Sequence, residues 1–102
     1  MNDQERKYLK QVITRAIKDG CVVSVDDGED RVINHSRDVE AILEVMGSVE
    51  AEWVYFYNNI GGSYVGTLFL VYGNEPEEVI NDMGYPIETG DSRMKAIVGE
   101  YK

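Results

Sequence analysis

The sequence predicts an α+β domain of order α-β-β-α-β-β-α, with a four-stranded, mainly antiparallel sheet and its helices packed on one face. Three observations predict it. Apolar residues recur at helical spacing near the N-terminus and again after Ser36. Two stretches rich in β-branched and aromatic residues each break at a turn. Neither turn is long enough for a crossover, so each strand pair reads as an antiparallel hairpin. With no repeat, low-complexity tract or linker, residues 1–102 form one domain. Its 43% hydrophobic and 28% charged content is that of a globular chain, which at this length builds a core without disulfide or metal.

The elements follow in order. Leu9, Val12, Ile13, Ala16 and Ile17 make one face of a first helix, with Asn2 or Asp3 to cap its start and Gly20 to stop it. CVVSV (Cys21–Val25) and RVIN (Arg31–Asn34) are strands joined through the Asp27-Gly28 turn. Ser36 is the expected cap of a second helix, in which Val39, Ile42, Leu43 and Met46 face inward and after which Gly47 ends the run. AEWVYFYN (51–58) and YVGTLFLVY (Tyr64–Tyr72) form the second hairpin about the NNIGGS turn. Both its faces are apolar: Trp53, Tyr55 and Tyr57 on one, Val54 and Phe56 on the other. Helices cover one of them, which leaves the other for the third helix or for a partner. That third, short helix is expected at about Glu75–Met83, and a last helical turn or two from Ser92.

The segment VYGNEPEEVIND (Val71–Asp82) carries both local and functional meaning. Asn74 is a good cap with Glu77 as capping-box partner, and Pro76 suits a first turn, where its missing N–H costs nothing. Glu75, Glu77 and Glu78 also sit favourably at the positive end of a helix dipole. Local physics therefore explains the run first, and an acidic partner surface comes second.

The charge is unevenly spread. Residues 1–19 hold five bases against three acids, a balance of +2, whereas the rest holds five bases and sixteen acids, a balance of −11. From Asp38 to Asp91 there are eleven acids and no Lys or Arg. Such a surface repels phosphate and anionic lipid and attracts basic proteins. Direct nucleic-acid binding is disfavoured, because it needs several Lys or Arg contacts. The aromatics Trp53, Tyr55, Tyr57, Tyr64, Phe69 and Tyr72 lack the basic groove of a single-strand platform.

Enzyme chemistry finds little support. Cys21 and His35 are single representatives of their types, and a cysteine opening an apolar strand is usually buried and inert. DDGED (26–30) has adjacent acids and Gly at its third position, unlike a calcium loop. IGGSYVG (60–66) lies between two strands, unlike a dinucleotide fingerprint. No metal or other cofactor is expected. The lone cysteine fits a reducing compartment, and neither a signal-peptide pattern nor a spanning run of about 20 apolar residues is present, so a cytoplasmic setting is expected.

Two stretches, VVSVDDGEDRVINHSRDVEAI (22–42) and LVYGNEPEEVIND (70–82), resemble a widespread group of small proteins encoded by bacteriophages, prophages and bacterial mobile elements. The matching positions are Val23, Ser24, Val25, Asp27, Gly28 and Glu29, then Ser36 and Asp38, then Tyr72, Gly73, Asn74, Pro76, Glu78, Ile80 and Asp82. Arg31 and Val32 stand where that group often has an aromatic, and the chain after Met83 departs from the pattern. The similarity covers most of residues 9–83. Its motifs are turns and caps, so it implies a setting, an accessory phage protein inside a bacterial host cell, and no mechanism.

Three functions are expected, in descending order. The first is a non-enzymatic protein that binds a host or phage protein through Asp26, Asp27, Glu29, Asp30, Glu75, Glu77, Glu78 and Asp82, in one form as an inhibitor mimicking nucleic-acid charge. The second is a self-assembling scaffold that dimerises through Trp53, Tyr55, Tyr57 and Tyr64. The third is a small-ligand binder or enzyme, which no residue spacing supports. Neither membrane nor nucleic acid is an expected partner.

Overall fold

A capping box starts the fold. In the computed structural model, which describes residues 1–101, the Asn2 side chain accepts the Glu5 N–H at 2.8 Å and the Glu5 carboxylate accepts the Asn2 N–H at 2.8 Å. From there α1 runs Asp3–Lys18, burying Leu9, Val12, Ile13 and Ala16. Gly20 follows in the left-handed region (φ 87°), the stop that its position predicts. Then come β1 (Cys21–Asp26), β2 (Arg31–Ser36), α2 (Val39–Val45), β3 (Ala51–Asn58) and β4 (Tyr64–Val71). A 3₁₀ turn at Pro76–Glu78, β5 (Ile80–Gly84) and α3 (Ser92–Val98) complete the order.

The sheet is antiparallel throughout, in the order β2-β1-β3-β4-β5. The α+β class therefore stands, while the strand count is five and not four. The extra strand replaces most of the expected third helix. Pro76 and its neighbours do begin a helical turn, yet the cap position is Glu75, without a side-chain bond, and not Asn74. Val79 then drops into the core and its carbonyl accepts the Val71 N–H at 3.0 Å. That bond lays Ile80–Gly84 along the free edge of β4, where the backbone groups of both segments find partners. Tertiary pairing outweighs a helix start only one turn long.

The start of α2 also differs from expectation. Asp38, not Ser36, is its cap: the Asp38 carboxylate accepts the Ala41 N–H at 3.1 Å. Ser36 ends β2, and its hydroxyl accepts the Asp38 N–H at 3.1 Å. Both residues serve the same corner, two positions apart.

Alternation divides the central strands into two faces. Val25, Val54, Phe56, Leu68 and Leu70 point inward and are buried with Leu9, Ile13, Ile42, Met94 and Ile97 of the three helices. Each such side chain contributes about 1.5–3 kcal/mol relative to exposure. The helices are tied together as well as packed. Arg15 of α1 donates to the carbonyls of Ile97 (2.7 Å) and Val98 (2.6 Å), which lie in the last turn of α3, where carbonyls lack an intrahelical partner. Arg93 of α3 pairs with Asp19 at 2.6 Å and also reaches Asn58 at the end of β3.

Glu52 breaks the inward pattern of β3. It is fully buried, and one carboxylate oxygen accepts the Gly47 N–H (2.8 Å) and the Tyr72 hydroxyl. Its other oxygen has no hydrogen-bond partner among the described residues.

Candidate partner-binding face

With all three helices on one side, the second face of the sheet is open, and the register sorts its side chains into rows. The first row crosses all five strands: Arg31, Asp26, Trp53, Phe69 and Asp82 are successive cross-strand partners. The second holds Ser24, Tyr55, Thr67 and Gly84, and the third Val22, Tyr57 and Tyr64. Odd-numbered residues of β3 thus place Trp53, Tyr55 and Tyr57 side by side, and a bulge after Phe56 brings Tyr64 opposite Tyr57. Trp53, Tyr55 and Tyr57, the three aromatics expected to share a face, do share one, and Tyr64 joins them. Phe69 belongs with them, by the same parity that places Thr67 and Val71; it stacks on Trp53 with ring centroids 4.8 Å apart.

The rings are half-buried or exposed, and their polar neighbours are specific. Arg31 lies 4.9 Å above the Tyr55 ring and pairs with Asp26 at 3.9 Å. Burial and then the Asp26 carboxylate raise the Tyr55 phenol above its ordinary pKa, so it remains a neutral donor. His35, in the left-handed region (φ 49°), sets its ring 5.0 Å from Tyr57. Cys21, by contrast, is buried in the core with Arg93 beside its sulfur, and burial pushes its thiol up. The cysteine and the histidine therefore belong to opposite faces of the sheet.

The predicted acids fall into three places. Asp26 and Asp82 flank the Trp53–Phe69 pair, about 14 Å apart by three strand spacings. Asp27, Glu29 and Asp30 form the adjoining β1–β2 turn, whose Gly28 abuts Trp53. Glu75, Glu77 and Glu78 are exposed at the same end of the sheet, but beside α1 and so towards the helix layer. The structure does not gather all eight acids into one patch.

Part of that acidity is spent on folding the turn. Asp26 accepts the Gly28 N–H at 2.8 Å, and Asp27 accepts those of Glu29 (2.9 Å) and Asp30 (2.8 Å). These bonds hold the Asp27 carboxyl below its usual pKa. Glu29, Asp30 and Asp82 are exposed and make no ion pair among the described residues.

No three His, Cys, Asp or Glu side chains converge for a metal ion among the described residues. A hollow of about 640 Å³ lies between the start of α1, the α2–β3 connection and the β4–β5 connection. Of the two acids that line it, Glu5 and Glu50, Glu5 is already committed to the N–H groups of Asn2 and Gly73 (3.0 Å). No helix among the described residues is long and apolar enough to cross a membrane. No protein-family model, curated protein or solved structure matches this chain.

Proposed function

We propose that this chain is a non-enzymatic binding protein that docks a basic host or phage protein on the open face of its sheet, in the setting of a bacterial cell that the phage resemblance implies. One observation carries the reading. The broad face left without helices presents Trp53, Phe69, Tyr55, Tyr57 and Tyr64 together, and carboxylates with no ion pair among the described residues border it at Asp82 and at the Glu29–Asp30 turn. Aromatic side chains of this kind anchor protein interfaces, while bordering charges steer the partner and set its sign. The acids of the 3₁₀ turn extend the same potential around the end of the sheet and act at longer range.

The test is capture from bacterial lysate at low and at moderate salt, with wild-type protein and two folded variants side by side. One variant neutralises the border (Glu29→Gln, Asp30→Asn, Asp82→Asn), and the other removes an anchor (Trp53→Ala). Expected is one basic protein retained by the wild type at low salt, released as salt rises and lost in both variants. Equal retention by all three proteins at both salts sinks the reading.

A second reading rests on the same aromatic rows: the face pairs with a second copy of itself. Light scattering separates the two, since a monomer at high concentration removes self-assembly and leaves the basic partner.

A further inference from the structure

We infer that the hollow between Trp53, Phe69 and Asp82 is a socket for one arginine side chain of the docked protein. This inference rests on the binding-face reading and names the chemistry at its centre. The hollow measures about 180 Å³ and is lined by Trp53, Thr67, Phe69, Asp82, Met83 and Gly84. Small-molecule sites span roughly 300–1,000 Å³, so this one suits a single side chain and not a metabolite. Two aromatic rings tilted by 35° form one wall, and the Asp82 carboxylate stands beside Phe69 in the same row. A planar cation meets both needs, stacking on the rings while pairing with the carboxylate.

The protein already builds this arrangement once from its own residues. On the β2 side of the first row, Arg31 covers the Tyr55 ring and pairs with Asp26. On the β5 side the aromatic wall and the carboxylate recur with no cation against them among the described residues. Asp82 accepts only the neighbouring Met83 N–H, at 2.8 Å, among the described residues. Every lining residue comes from the Asp38–Asp91 stretch, which contains no Lys or Arg, so β3, β4 and β5 have no base of their own to fill the socket. Gly84 keeps one wall low: a Cβ there would stand 3.6 Å from the Tyr64 hydroxyl and 3.9 Å from Thr67, ordinary contact without a clash.

Trp53 is the sole tryptophan, so its indole resonance reports the socket without ambiguity. The experiment titrates the full chain with a capped Gly-Arg-Gly peptide, and with the Lys and Gln counterparts, while following that resonance by NMR. Expected is a saturable shift with the arginine peptide, weaker with lysine and absent with glutamine. Asp82→Asn weakens it about fivefold, as loss of one partly exposed ion pair does. Gly84→Ala, which narrows the socket and preserves the backbone, weakens it as well. A flat titration overturns the socket, as does equal binding by Asp82→Asn or a preference for lysine. So does a shift that depends on protein concentration without peptide, which assigns the hollow to a second copy. Failure of the wider reading looks different. There the lysate yields no salt-sensitive basic partner, whatever the peptide does; here a partner is retained equally by wild type and Asp82→Asn.

Discussion

At the residue scale Glu52 is the most consequential side chain outside the open face. Its alternation with Val54 and Phe56 put it on the inward face in the sequence itself, but carboxylates default to the surface, and charge masked the parity. Burial is the main cause that raises its pKa, opposed by the bonds from Tyr72 and Gly47, with the Asp27 charge adding a smaller upward push. The sign follows from linkage. A raised folded-state pKa means that the folded protein favours protonated Glu52, so this residue adds stability below the ordinary glutamate value of about 4.3. The contribution is lost as pH rises through the displaced folded value. Glu52→Gln keeps an acceptor for the Gly47 N–H and the Tyr72 hydroxyl but cannot ionise. Its stability relative to wild type is therefore expected to improve steadily from acid to neutral pH, by about 1.4 kcal/mol for each unit of displacement. Urea denaturation of both proteins across that range checks it, and a constant gap would show that Glu52 titrates as it does in the unfolded chain. Glu52→Ala strands two buried donors and is expected to cost about 3 kcal/mol at acid pH, a gap that narrows as pH rises because Ala, like Gln, cannot ionise.

Elements differed sharply in how far the sequence disclosed them. The helix α1 was plain because its apolar period, a capping residue at Asn2 or Asp3 and Gly20 all agree, and the structure settles the cap on Asn2, boxed with Glu5. The β3–β4 hairpin was plain too, down to the aromatics of one face, because period-two alternation survives the bulge after Phe56. β5 was hidden for a physical reason. INDMG has little strand propensity and follows a strong helix-start pattern; only the unpaired edge of β4 and the buried Val79 decide its conformation. Whether eight acids form one surface is likewise a matter of topology, which local pattern does not encode. The same junction gives a prediction for how α3 seats on the sheet. Gly66 lies opposite Phe56 on the inward face, and a Cβ there would press on Met94 of α3 and stand 2.8 Å from the Gly84 carbonyl. Met94 can move, but the backbone of β5 cannot move without losing its ladder with β4. Gly66→Ala is expected to destabilise by about 1–3 kcal/mol through overpacking. Thermal or urea unfolding measures this, and hydrogen exchange should show the loosening concentrated in β5 and α3. A variant as stable as wild type would mean that the junction is slacker than its spacing implies.

On the scale of the whole molecule, charge is segregated between layers. The basic residues of α1 lie in the helix layer, where Arg6 and Lys10 both pair with Glu40 of α2, while the open face and its nearer end carry acids. A net charge of −9 on 102 residues admits two explanations, solubility alone or recognition, and they differ in their response to salt. Self-repulsion among the acids weakens the folded state, so screening should raise the unfolding midpoint modestly as sodium chloride increases from low to physiological levels. Recognition of a basic partner should respond with the opposite sign, because the same screening removes the attraction that steers it. Measured on one preparation, stability rising and affinity falling with salt would assign the acidity to both roles. Charge-neutralised protein (Glu29→Gln, Asp30→Asn, Asp82→Asn) should flatten both dependences together, while Asp27, whose carboxylate holds the turn, is left in place. If stability alone responds and affinity is indifferent to salt, the aromatic rows supply the binding by themselves, and the acids serve only to keep an open apolar face from aggregating.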